Sequence, residues 1–214
     1  MTGLSPVKAQ YLKSKNMVYD RQKYLEAIKS QLEPNIVNHS LALEACMGGF
    51  YDYLKSIDQI DEKELSKEDW LMAGLIHDVD FGGEYKEQHP NKTLEALAKY
   101  NLNISPDLHQ LILAHAAKHS GVQPETKGQW AIFCADSLTG LIMAVAYVYP
   151  SRKLADVKLS SVVKRFLKEP KFAAGTRRDE VAMCSNPDGL NLPLEKFIEI
   201  CLVSMQKIAS EIGL

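Results

Sequence analysis

Apolar side chains recur at three- and four-residue spacing along nearly the whole chain, and alternating runs bounded by turn residues are missing. The pattern predicts an all-α protein. A first helix over about 17–32 stops before Pro34, because the residue ahead of a proline is pushed out of helical dihedrals. The second begins near Asn35 and sets Ile36, His39, Leu43, Cys46, Met47, Phe50, Leu54 and Ile57 along one stripe. Ser66 caps a third, which runs through Trp70, Leu71, Gly74, Leu75 and His77 and ends at Gly82-Gly83. A short helix follows from about Lys92 to Tyr100. In "SPDLHQLILAHAAKH", Ser105 is an N-cap and Pro106 takes the first helical position, where its missing N–H costs nothing. The inner stripe of that helix is Leu108, Leu111, Ile112, His115 and His119, with His109 off the stripe at the surface. "GQWAIFCADSLTGLIMAVAYVY" is apolar on nearly every side, the mark of a helix at the centre of a bundle, yet Asp136 sits inside it. Amphipathic stretches over about 157–168 and 193–212, and a shorter helix near 178–185, complete the chain.

The 214 residues, 46% hydrophobic and 24% charged, are enough for one domain to bury a substantial core without disulfides or metal staples. No internal repeat, low-complexity tract or Gly/Ser linker divides them, so residues 1–214 are expected to form a single all-α domain. A net charge of -2 gives no evidence for binding a nucleic-acid polymer over the whole surface; phosphate recognition would need a local basic site. Cys46, Cys134, Cys184 and Cys201 lie far apart among apolar neighbours and form no CxxC pair, as expected of reduced core cysteines in a cytoplasmic protein. The first residues lack the apolar core of a signal peptide. No uninterrupted apolar run approaches a membrane span, so no membrane partner is expected.

His39, His77 with Asp78, His115 and Asp136 come from four predicted helices, each on or beside the face its helix should bury. A buried carboxylate without a partner costs roughly 3–5 kcal/mol, so Asp136 must be paired or must coordinate a cation. No inward-facing Lys or Arg is evident in these helices. Imidazole nitrogen with carboxylate oxygen suits divalent Fe, Mn, Co, Ni or Zn, with Mg also admissible, and the absence of thiolate ligands argues against a structural zinc site. One histidine on an apolar face is more often a hydrogen-bonded core residue, and an HD dipeptide is a frequent accident. The weight lies in the ordered set.

His39, then His77-Asp78, then Asp136 resembles the H…HD…D signature of the HD-domain superfamily of metal-dependent phosphohydrolases. The likeness covers about residues 35–149, an HD metal-binding core, and leaves 150–214 as a C-terminal helical extension with basic residues. Dinuclear subfamilies insert two more histidines before the last Asp, and His89 and His115 stand in those places, so the set resembles the six-ligand, HDIG-type version. The resemblance implies an HD-domain-like helical bundle holding one or two divalent transition-metal ions. His39, His77, Asp78 and Asp136 would hold the first ion, and Asp78 would bridge to a second held by His89 and His115.

The HDIG form has Gly two residues after the HD aspartate, where this chain has Asp80. Asp80 is a catalytic candidate beside Asp78, as an acceptor that orients a ligand histidine or positions water, set against a plain solvent-facing acid at a helix C-terminus. His119, one turn beyond His115, is an alternative ligand or a proton donor. For substrate binding the candidates are Lys118, Arg152, Lys153, Arg177 and Arg178; Lys164 and Arg165 read as ordinary solvated charges. Arg152 and Lys153 follow Pro150 at the end of the Asp136 helix. Arg177 and Arg178 follow Gly175 and Thr176 into the first turn of a helix, where cations are disfavoured unless Asp179, Glu180 or a bound phosphate compensates. Phe81, Tyr85 and Tyr149 could stack on a base but suit core packing better.

The resemblance implies hydrolysis of a phosphate ester or anhydride of a small compound, most plausibly a nucleotide, by a metal-activated water. The GYP extension of cyclic-dinucleotide enzymes is missing. Two other readings remain: a di-iron HD-type oxygenase, which the same ligands would serve, and a non-catalytic nucleotide-binding sensor. The long apolar helix is either wholly internal or partly an interface, so a homo-oligomer is allowed.

Overall fold

The computed structural model describes residues 17–214, and every regular element among them is helical. In chain order these are α1 (Arg21–Gln31), α2 (Pro34–Ser56), α3 (Lys67–Ile76), α4 (Thr93–Ala98), α5 (Pro106–Leu113), α6 (Ala117–Ser120), α7 (Lys127–Val148), α8 (Leu159–Lys168), α9 (Arg178–Ala182) and α10 (Leu194–Lys207). Short 3₁₀ turns occupy Gly83–Gln88, Ala114–Ala116, Leu154–Asp156 and Met183–Ser185. The helices share one core, as the pattern predicts for a single all-α domain.

Helix α2 is the hub, packed against α3, α7 and α10. Its stripe of Leu43, Met47, Phe50 and Leu54 is fully enclosed, and each such side chain contributes about 1.5–3 kcal/mol by leaving water. Phe50 stacks on Phe197 of α10 with ring centroids 4.4 Å apart. The predicted stripe fails at its end: Ile57 is 42% exposed because the helix stops at Ser56.

Helix α3 starts as expected, with Ser66 and Asp69 forming a capping box. It crosses α2 at Gly74, where a Cβ would lie 2.6 Å from the backbone nitrogen of Glu44, so only glycine lets the two backbones come this close. It does not continue to Gly82-Gly83. Regular helix ends at Ile76, and His77 to Asp80 form tight turns closed by Val79 N–H to Ile76 O (3.0 Å) and Phe81 N–H to Asp78 O (2.7 Å). The turn takes His77, Asp78 and Asp80 off the helical period and gathers them at one end of α3.

Helix α7 lies at the centre, as its all-round apolarity predicts, and its length and composition alone would allow it to cross a membrane. Most of it is buried within the bundle. Its first N–H groups have no intrahelical acceptors. A capping box of Thr126 and Gln129 serves one, and the Glu64 carboxylate accepts from Lys127 N (2.6 Å) and Gly128 N (3.2 Å). Ser105 caps α5, with Pro106 in its first turn, also as expected. The four cysteines are buried free thiols, and burial pushes that of Cys184 up to about 12.

Candidate metal centre

Five segments bring six candidate ligand residues to one place: His39 from α2, His77 and Asp78 from the turn after α3, His89 from the loop before α4, His115 from the 3₁₀ turn after α5, and Asp136 from α7. His77, Asp78, His115 and Asp136 are buried; His39 and His89 are partly so.

Each imidazole has one nitrogen already committed. His77 Nδ1 donates to Gly74 O (2.9 Å) and His115 Nδ1 to Ile112 O (2.6 Å); a carbonyl only accepts, so both Nδ1 atoms carry the proton. His89 Nδ1 donates to Asp80 Oδ1 (2.7 Å). The Thr139 hydroxyl gives its hydrogen to Asp136 O (2.7 Å) and therefore accepts from His39 Nδ1 (2.8 Å). In their neutral forms the four imidazoles present bare Nε2 lone pairs to one another, with His39 and His77 at 3.1 Å and His89 and His115 at 3.0 Å. Lone pairs facing each other at that distance repel unless a cation lies between them.

Carboxylates complete two groups. In the first, Asp136 Oδ1 lies 3.0 Å from His39 Nε2 and 3.8 Å from His77 Nε2, while Asp78 Oδ2 lies 3.7 and 3.3 Å from the same atoms. In the second, Asp78 Oδ1 lies 3.5 Å from His89 Nε2 and 3.8 Å from His115 Nε2. Ligand atoms about 2.0–2.2 Å from a common ion are separated by these distances, so the donor set fits one ion in each group. Asp78 shares its two oxygens between the groups.

Burial and the facing charges also set the protonation of these groups against one another. Burial opposes charging His77, but Asp78 and Asp136 outweigh it and raise its pKa to about 9. His115, buried and facing charged His77, falls to about 4. Burial works against the charged carboxylates too, yet the facing imidazoles hold Asp78 and Asp136 below the usual carboxylate range.

Behind the ligands, Asp80 is fully buried and both its oxygens are engaged, one by His89 and the other by Lys92 N (2.8 Å). Among the two roles weighed for it, the solvent-facing acid is excluded, and the geometry is that of an acceptor fixing a ligand histidine. Arg177, at the N-cap of α9, places NH2 2.5 Å from Asp136 Oδ2 and its Nε on Glu180. Glu180 is also bonded by Lys118 Nζ (2.8 Å), on the exposed rim.

Other candidates stand elsewhere. His119 is exposed: the helix breaks at Ala116 (φ -122, ψ 51), so the turn-to-turn relation with His115 is lost. Arg178 spends its guanidinium on the carbonyls of Phe166, Glu169, Phe172 and Ala173, tying down the 166–173 segment rather than facing a substrate. Arg152 and Lys153 are exposed beyond the end of α7, which runs on from Asp136 to Val148, about 18 Å of helical rise. His109 is half-buried rather than on the surface, its Nε2 without a partner. Phe81 sets its ring edge against His89, and Tyr85 and Tyr149 pack on the core.

Glu180 compensates Arg177, one of the pairings the sequence allowed. Thr139 was missed by sequence reasoning; it follows Asp136 by three positions, and that same-face spacing was the signal available. A cavity of about 320 Å³ opens beside Asp136 and His39, walled by residues 173–177. A larger one, about 500 Å³, lies at Tyr19, Arg21, Leu71 and Met72 and carries none of the ligands. Comparison of the chain with protein-family models, with curated proteins and with solved structures finds no match.

Proposed function

We propose that this chain is a metal-dependent phosphohydrolase of the HD-domain kind, acting in the cytoplasm on a small phosphorylated compound such as a nucleotide. The observation that carries the reading is the divided carboxylate of Asp78, with Oδ2 turned to His39 and His77 and Oδ1 to His89 and His115. Two such groups sharing one bridge fit a pair of divalent ions, drawn from Fe, Mn, Co, Ni, Zn or Mg. When bound, such ions lower the pKa of a shared water and clamp the attacking and leaving oxygens of an in-line displacement.

The chain's own residues do the rest. Thr139 and Asp80 fix the tautomers of His39 and His89, so their Nε2 atoms stay available. Arg177 holds the outer oxygen of Asp136, which leaves Oδ1 facing the histidines. Lys118, bonded to the outer side of Glu180, places an exposed cation at the rim where an anionic substrate would arrive.

The test is phosphate release from a panel of nucleotides and simple phosphate esters with Mn, Co, Ni or Fe, for the wild type and Asp78→Ala, with metal content measured on both. The wild type is expected to bind metal and to outpace the variant by several orders of magnitude. Metal-loaded wild type that releases no more phosphate than Asp78→Ala would refute the reading, and dioxygen consumption in its place would establish the oxygenase.

A further inference from the structure

The cavity beside Asp136 has a neighbour. A second, of about 280 Å³, shares His39 and Gly140 with the first and extends between the start of α2 and the far end of α7, reaching Met143, Ala144 and Tyr147. Asp136, Gly140, Met143 and Tyr147 follow one another at helical spacing, so one face of α7 floors both, over about 16 Å from ligand to tyrosine. At the junction is Gly140, where a Cβ would meet nothing within 4 Å. A side chain there would project into the groove, not into protein.

The two ends differ chemically. The end at the ligands has Arg177 in its wall, and that guanidinium is engaged by Asp136 and Glu180. The far end is lined by Asn35, Ile36, Met143, Ala144 and Tyr147, with no charged side chain, and Tyr147 is 54% exposed. A second phosphate placed there would lose water and find no cation. A flat or apolar group would gain by covering Tyr147 and Met143.

Resting on the phosphohydrolase reading, we propose that this groove seats the organic part of the substrate, that this part is uncharged and flat or apolar, and that Gly140 keeps the way to it open. The preferred substrate class is then a phosphomonoester of such an alcohol, not a polyphosphate.

The probes are 1-naphthyl phosphate, glucose 6-phosphate, inorganic phosphate and 1-naphthol, with the full chain, Gly140→Leu and Tyr147→Ala. Leucine is a better helix former than glycine, and a Cβ at this position meets nothing within 4 Å, so Gly140→Leu should fold. The metal-loaded wild type is expected to show a KM for 1-naphthyl phosphate at least tenfold below that for glucose 6-phosphate. Gly140→Leu should raise the former tenfold or more, and Tyr147→Ala severalfold, with metal content unchanged in both and inorganic phosphate affinity unchanged in Tyr147→Ala. Independently of turnover, 1-naphthol should shift the amide resonances of Ala144 and Tyr147 in metal-free wild type and not in Gly140→Leu. A lower KM for the glucose ester, or naphthyl phosphate used equally well by Gly140→Leu, overturns the groove and leaves the metal centre standing. A wild type that binds no metal defeats the phosphohydrolase reading instead, and the naphthol shifts still decide the groove.

Discussion

Gly74 and Gly140 are both interior helical glycines, and the structure makes opposite demands of them. A methyl added at Gly74 would lie 2.6 and 2.7 Å from Glu44 N and Cα and 2.8 Å from Leu43 C. These are backbone atoms of the hub helix, which cannot swing aside as a side-chain tip can. Restoring ordinary contact of about 3.5–4.0 Å requires α2 and α3 to part by roughly 1 Å. Overpacking of this kind costs about 1–3 kcal/mol, and with backbone on both sides the upper figure applies. Replacing glycine by alanine in a helix returns up to about 1 kcal/mol, so Gly74→Ala should be destabilised by about 2 kcal/mol, or roughly 4–8 °C in Tm at this chain length. Gly140→Ala has only the gain and should be stabilised by about 0.5–1 kcal/mol. Because His77 follows Gly74 by three residues and faces His39 across the same crossing at 3.1 Å, Gly74→Ala should also weaken metal binding. Urea denaturation of the metal-free proteins and a metal titration measure both effects. Gly74→Ala matching Gly140→Ala in stability, or binding metal like the wild type, would refute the argument from close helix approach.

Asp80→Asn keeps the shape but weakens the acceptor behind His89, and loss of such a partner typically costs 10–100-fold in metal affinity; titration should show the weaker of two sites lost first, with the His39–His77 site retained. For His109, burial holds the pKa below 6.5, so the unfolded chain takes up this proton more readily than the folded one. Its contribution to stability is full above about 6.5 and falls away as pH drops below it; in melting curves between pH 7.5 and 5.5, His109→Gln should lose less Tm than the wild type, and equal losses would count against the assignment.

The clustered residues were legible because imidazoles and carboxylates are conspicuous on faces that otherwise bury leucine and isoleucine, and because their order resembles a known signature. His89 was readable only through that signature, since no helical period reaches a loop residue. The errors lie where tertiary contacts override local pattern. An unbroken helix would carry His119 under His115, but the backbone turns at Ala116 to deliver His115 to Asp78, and a periodicity argument has no access to that. Regular α3 likewise ends at Ile76 because His77, Asp78 and Asp80 have partners in other segments. Of two adjacent arginines one reaches Asp136 and the other closes a loop of carbonyls, and nothing in "TRRDE" distinguishes them. Thr139 on an apolar helix reads as packing, and its role appears only once His39 stands beside it.

The attachment of Arg177 to Asp136 bears on where this protein could be shortened. A version cut after residue 149 would contain every metal ligand, yet it would strip the counter-charge from Asp136 and the wall of residues 173–177 from the pocket. The same cut takes away α10, which would uncover Phe50 and leave the hub helix with a bare aromatic flank. Such a fragment should aggregate when expressed alone, which makes the last third of the chain as much a part of the folded unit as the segment bearing the candidate ligands.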